Sequence, residues 1–116
     1  LNRTANEHVG EGDYEEKMKK QGVKSLKQIS SSVKMNVALM DDIPADIVRQ
    51  LDQVDEDIKD LVPLFSNEAL QMEQKIGDAL LHIESYLSKP QENAQAIADT
   101  FRFVHTYIRR RQILTD

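Results

Sequence analysis

The chain has 116 residues, with 15 basic and 20 acidic side chains and a formal net charge of −5 at pH 7. That length holds one domain, and its 40% apolar and 30% charged residues make it too apolar for wholesale disorder and too polar for the roughly 18-residue apolar run of a membrane span. The absence of cysteine excludes disulfides, iron–sulfur clusters, thiol catalysis and cysteine-ligated zinc, and it suits a reducing compartment such as the cytoplasm.

Residues 1–12 carry Gly10 and Gly12 and little apolar material, which predicts a mobile tail. Asn2-Arg3-Thr4 matches a glycosylation sequon over three residues only. Asp13 followed by Glu16 has capping-box spacing and predicts a first helix over about 14–40. Its apolar positions are Met18, Leu26, Ile29, Val33, Val37 and Met40. Gly22 costs about 1 kcal/mol relative to alanine within a helix, which argues for a start delayed to near Val23.

Asp41-Asp42-Ile43-Pro44 predicts a break and a second helix over about 44–63. Ile47, Leu51, Val54, Ile58, Leu61 and Phe65 alternate steps of four and three, which places them on one stripe at about 100° per residue. Asp52, Glu56, Asp57 and Asp60 fall opposite. Pro63 ends the pattern, because proline removes a backbone donor and clashes with the preceding turn. The alternative is one long helix kinked at Pro63, which would favour an intertwined dimer. Ser66-Asn67 offers a cap for a third helix over about 67–88, with Ala69, Ile76, Leu80, Ile83 and Leu87 inward and Leu70, Gly77 and Leu81 widening that face. Ser88-Lys89-Pro90 repeats the punctuation. A fourth helix over about 91–114 carries Ala94, Ile97, Phe101, Val104 and Ile108.

No segment alternates with a period of two, so no strands are expected. Four apolar stripes joined by short loops satisfy one another as an all-α, antiparallel, up-down-up-down four-helix bundle over residues 13–116. Charge is segregated along the chain. Residues 1–40 hold seven basic and five acidic groups, residues 41–65 two and eight, residues 66–92 two and five, and residues 93–116 four and two. With helices one and four adjacent, and two and three adjacent, one side of such a bundle is basic and the other acidic.

The fourth helix has a second apolar stripe of Ala96, Thr100, Phe103, Tyr107 and Leu114, about 110° around the axis from the first. Aromatic residues beside arginine are the composition of interface anchors. The reading is therefore a non-enzymatic protein-interaction module, an adaptor, regulator or chaperone-like protein. Phe103, Tyr107, Arg110, Arg111 and Leu114 are its contact residues, and its partner is an acidic protein or a second copy of the chain in a dimer. One alternative is nucleic-acid binding through Arg102 and Arg109-Arg110-Arg111, against which the net acidity stands. Another starts from His82, on the polar face of helix three. A solvent-facing histidine on a four-helix bundle resembles the bacterial phosphotransfer domains. Those domains place lysine and then glycine shortly after the histidine, whereas His82-Ile83-Glu84-Ser85-Tyr86 supplies neither.

Three other chemistries fare worse. Asp52, Asp55 and Glu56 form a carboxylate cluster without the Glu-x-x-His pairs of di-iron bundles. The four glycines are scattered rather than gathered into a phosphate loop. No serine has a base nearby in sequence. No metal, cofactor or catalytic residue is therefore expected.

Overall fold

A computed structural model describes the backbone of residues 11–115 and the side chains of residues 25–115. The tail expected over residues 1–12, with its sequon and His8, lies outside the described residues as far as residue 10. Four helices follow in chain order: α1 (Glu11–Ala38), α2 (Ala45–Lys59), α3 (Asn67–Tyr86) and α4 (Ala94–Ile113). Helix α1 runs unbroken through Gly22 and contains Asp13. Neither the expected cap nor the delayed start is seen, because one glycine in a 28-residue helix is outweighed by the turns on both sides.

Each connection has a local cause. Between α1 and α2 the chain turns through Asp42, whose φ of 61° lies in the left-handed region, where aspartate is among the better-tolerated residues after glycine. Pro44 stands at the N-cap of α2, just ahead of the position the sequence pattern suggests. Helix α2 ends at Lys59, four residues before Pro63, so the break expected at that proline is real and the kinked alternative is excluded. The Ser66 hydroxyl accepts the Ala69 N–H at 3.1 Å and caps α3. The turn into α4 is tied by the Asn93 side-chain amide, which donates to the Tyr86 carbonyl at 3.1 Å.

The stripes meet in one core of Leu26, Val33, Val37, Leu51, Val54, Ile58, Leu61, Ile76, Ala79, Leu80, Ile83, Leu87, Ile97, Phe101, Val104 and Ile108. Three expectations fail at its edges. Leu81 faces out, Ala94 is exposed at the first residue of α4, and Phe65 is exposed because α2 ends at Lys59 and no longer carries the stripe. Helix α1 packs on α2 and α3, and α4 packs on α3 and, more lightly, on α2, while among the described residues the backbones of α1 and α4, and of α2 and α3, do not come within 8 Å of each other. In cross-section the order is therefore α1, α2, α4, α3.

Directions still alternate along the chain. Ser30 and Lys34 of α1 meet Asp55 and Asp52 of α2 in opposite senses, and Glu73 and Lys75 of α3 meet Arg111 and Tyr107 of α4 likewise. The α1–α3 pair runs parallel, since Leu26 and Ile29 lie against Gly77 and Asn36 bonds Glu84. The expected adjacency of helices one and four is thus corrected, and with it the basic-side, acidic-side division. The segment from Asp60 to Ser66, at about 3.3 Å per extended residue, is long enough to cross the diagonal between helices packed about 10 Å apart. The diagonal order places each basic helix beside acidic ones, where opposite charges pair.

Candidate functional site

Arg109, Arg110 and Arg111 are consecutive on α4 and so point about 100° apart. Arg109 turns toward α2, near Arg102 and His105. Arg110 lies over the Tyr107 ring, with its guanidinium carbon 5.5 Å from the centroid. Arg111 points inward and is 0% exposed. This corrects its assignment to the contact surface and dismantles the three-arginine cluster as a single patch. Its position explains the burial. Arg111 follows Val104 and Ile108 on the inner stripe by three- and four-residue steps, and it continues that stripe as a charge.

Inside, Arg111 donates from Nε at 2.8 Å and from Nη2 at 2.6 Å to the same oxygen, Oε1 of Glu73, which is 4% exposed. Nη2 also donates to the Val62 carbonyl at 2.6 Å. One guanidinium thus joins α4, α3 and the α2–α3 crossover. The pair is half satisfied, because Glu73 Oε2 and Arg111 Nη1 are buried without a partner among the described residues. Burial pushes the Glu73 carboxyl above its usual value, and the opposing pull of Arg111 does not restore it.

A second buried polar knot joins α1 to α2. Ser30 Oγ donates to Asp55 Oδ1 at 2.8 Å, while Lys34 and Lys59 lie 3.3 and 3.0 Å from Oδ2. Burial pushes Asp55 upward, but the hydrogen bonds from Ser30, Lys59 and Lys34 together hold it below the usual carboxylate range. Lys34 is raised, first by its bond to Asp52. Of the carboxylate cluster noticed in the sequence, Asp52 and Asp55 are thus paired with lysines, while Glu56 is exposed and stands outside those pairs. Among the described residues no group of three or more His, Asp or Glu is placed to hold a metal ion.

The remaining predicted contact residues divide between two places. Phe103 is 41% exposed and its ring centroid lies 4.5 Å from that of the half-buried Tyr107. Lys75 of α3 approaches the same Tyr107 ring at 5.7 Å. Beside them a shallow groove between α3 and α4 is lined by Lys75, Asp78, Ala79, His82, Tyr86, Asp99, Thr100 and Phe103. Leu114 lies at the far end of the bundle with Leu64 and Phe65, so the structure separates it from the aromatic pair. His82 is exposed on the groove rim, with Nδ1 hydrogen-bonded to the Asp78 carbonyl one turn earlier.

Sequence reasoning missed Lys75, which belongs to another helix, and Glu73, whose burial depends on the α3–α4 register. The chain matches no family model, no curated protein and no solved structure at a significant level. No helix among the described residues is long and apolar enough to cross a membrane.

Proposed function

We propose that the chain is a non-enzymatic protein-interaction module, working in the cytoplasm as an adaptor, regulator or chaperone-like protein, and that its contact surface is the outer α3–α4 flank. The observation that carries this reading is the aromatic pair on the outer flank. Phe103 is exposed and lies in tilted contact, 4.5 Å between ring centroids, with Tyr107, which is half-buried against the edge of the core, although the inner stripe of α4 already fills that core. Packed aromatic pairs contribute about 0.5–1.5 kcal/mol beyond their area, and truncation of such residues dominates the energetics of many interfaces. Arg110 and Lys75 supply charge at the rim, where it sets association rate and partner choice more than affinity. Arg111 has no part in this surface.

Phe103→Asp is the direct test, since a side chain exposed on the flank can change without opening the core. The variant is expected to keep its helical circular dichroism and to lose self-association, or a protein that copurifies with the wild type, when both are compared by light scattering coupled to size exclusion. Unfolding of the variant, or association identical to the wild type, overturns the assignment.

A further inference from the structure

We infer that the α3–α4 flank receives an acidic amphipathic helix of a partner protein, with its carboxylates at the Lys75–Arg110 end; this rests on the interaction reading above and names its occupant. The argument starts from unspent charge. The chain has 20 acidic side chains for 15 basic ones, so its cations have carboxylates in excess. Among the described residues, Lys34, Arg49, Lys59, Lys89, Arg102 and Arg111 each have one within 4.0 Å. Lys27, Lys75, Arg109 and Arg110 have none among those pairs, and of these four Lys75 and Arg110 converge on one aromatic ring, Tyr107, at 5.7 and 5.5 Å. A ring face attracts a cation but leaves its charge uncompensated. Two such cations beside an exposed phenylalanine form a surface complementary to carboxylates flanking an apolar side chain.

The groove also sets a polarity. Asp78 and Asp99 line it beyond Lys75, and like charges there repel a second acidic cluster. Acidic residues of the occupant therefore belong at one end. Lys75 and Tyr86 both line the groove on α3, and at 1.5 Å per residue they span roughly 16 Å, or about three turns of a guest helix. A helix laid in a groove, anchored at i, i+3 or i+4 and i+7, is a recurring recognition mode.

The test uses three fluorescein-labelled synthetic helices. The first carries a leucine stripe flanked at one end by glutamates. The second has lysines replacing those glutamates, and the third has serines replacing the leucines. By fluorescence anisotropy the wild type is expected to bind the first saturably and the other two at least about tenfold more weakly. The Lys75→Glu/Arg110→Glu variant is expected to lose the first peptide and gain the second. Phe103→Ser is expected to weaken the first peptide without altering helical content. Equal binding of the glutamate and lysine peptides, or no effect of the charge reversal, overturns the inference. If the wild type binds none of the peptides but forms a Phe103-dependent dimer, the occupant is a second copy. The inference then fails while the interaction reading stands.

Discussion

Arg111 illustrates how a single residue can read one way in the sequence and act another way in the fold. Three adjacent arginines near a helix end look like a cationic patch, yet their 100° spacing sends each to a different neighbour. A buried pair is not a dependable source of net stability, but breaking it by removing one partner costs about 3–5 kcal/mol, because the other charge is left uncompensated. Arg111→Met should therefore lower the denaturant midpoint sharply, while Arg111→Met with Glu73→Leu should recover most of the loss. If the double variant is as weak as the single one, the ion pair rather than the orphaned charge is what matters. The two buried carboxylates also respond oppositely to pH. Asp55 is held below the ordinary aspartate value, so its contribution is present above that ordinary value and fades as pH falls through the lowered one. Glu73 lies above the ordinary glutamate value, so the folded state binds the extra proton and stability declines as pH rises from the ordinary value through the raised one. Urea unfolding across acidic pH should show Asp55→Asn removing the first dependence and Glu73→Gln the second.

Helix α3 carries a close contact between elements. Gly77 is buried where α1 comes close, and a Cβ built there lies 3.1 Å from Ile29 Cδ1 and 3.7 Å from Leu26 Cδ1. The nearer atom is the end of a half-buried, flexible side chain that can yield a few tenths of an ångström. The gain in helix propensity, up to about 1 kcal/mol, then exceeds the crowding. Gly77→Ala should raise the thermal midpoint modestly, and Gly77→Val, with two further branches against α1, should lower it. A large loss on Gly77→Ala would mean that Ile29 cannot move. The helices themselves were legible from the chain because 3.6-residue periodicity and punctuation are local properties. The buried Leu51, Val54 and Ile58, and Ile97, Phe101, Val104 and Ile108, are the ones the spacing selects. Leu81 and Phe65 were misread because the width and length of a buried face depend on which neighbour covers it.

At the scale of the whole molecule the decisive feature is the diagonal crossover from α2 to α3. It places α3 beside α1 in parallel, and it moves the basic first and last segments apart. Since the chain has no cysteine, adjacency is directly measurable by pairs of introduced thiols. Asn36→Cys with Glu84→Cys joins positions whose native side chains meet at 3.2 Å, and a short bismaleimide should link it intramolecularly. Gln53→Cys with Gln71→Cys, on the diagonal helices α2 and α3, should not link. Efficient linkage of the second pair would restore the sequential helix order and the one-sided charge distribution. The aromatic flank was half legible in the sequence. Phe103, Tyr107 and Arg110 share a face by spacing alone, but Lys75 joins them only because α3 and α4 are neighbours.

The amino-acid sequence alone determined the number of helices, their stripes, the break before Pro63, the Ser66 cap and the second apolar face of α4, because each follows from spacing and backbone chemistry within a few residues. Tertiary structure decided which helices pack together, which arginine is buried, and which cations lack a carboxylate partner among the described residues. Those outcomes depend on pairs far apart in the chain, such as Arg111 with Glu73 and Lys75 with Tyr107, whose meeting is set by the register and order of packed helices.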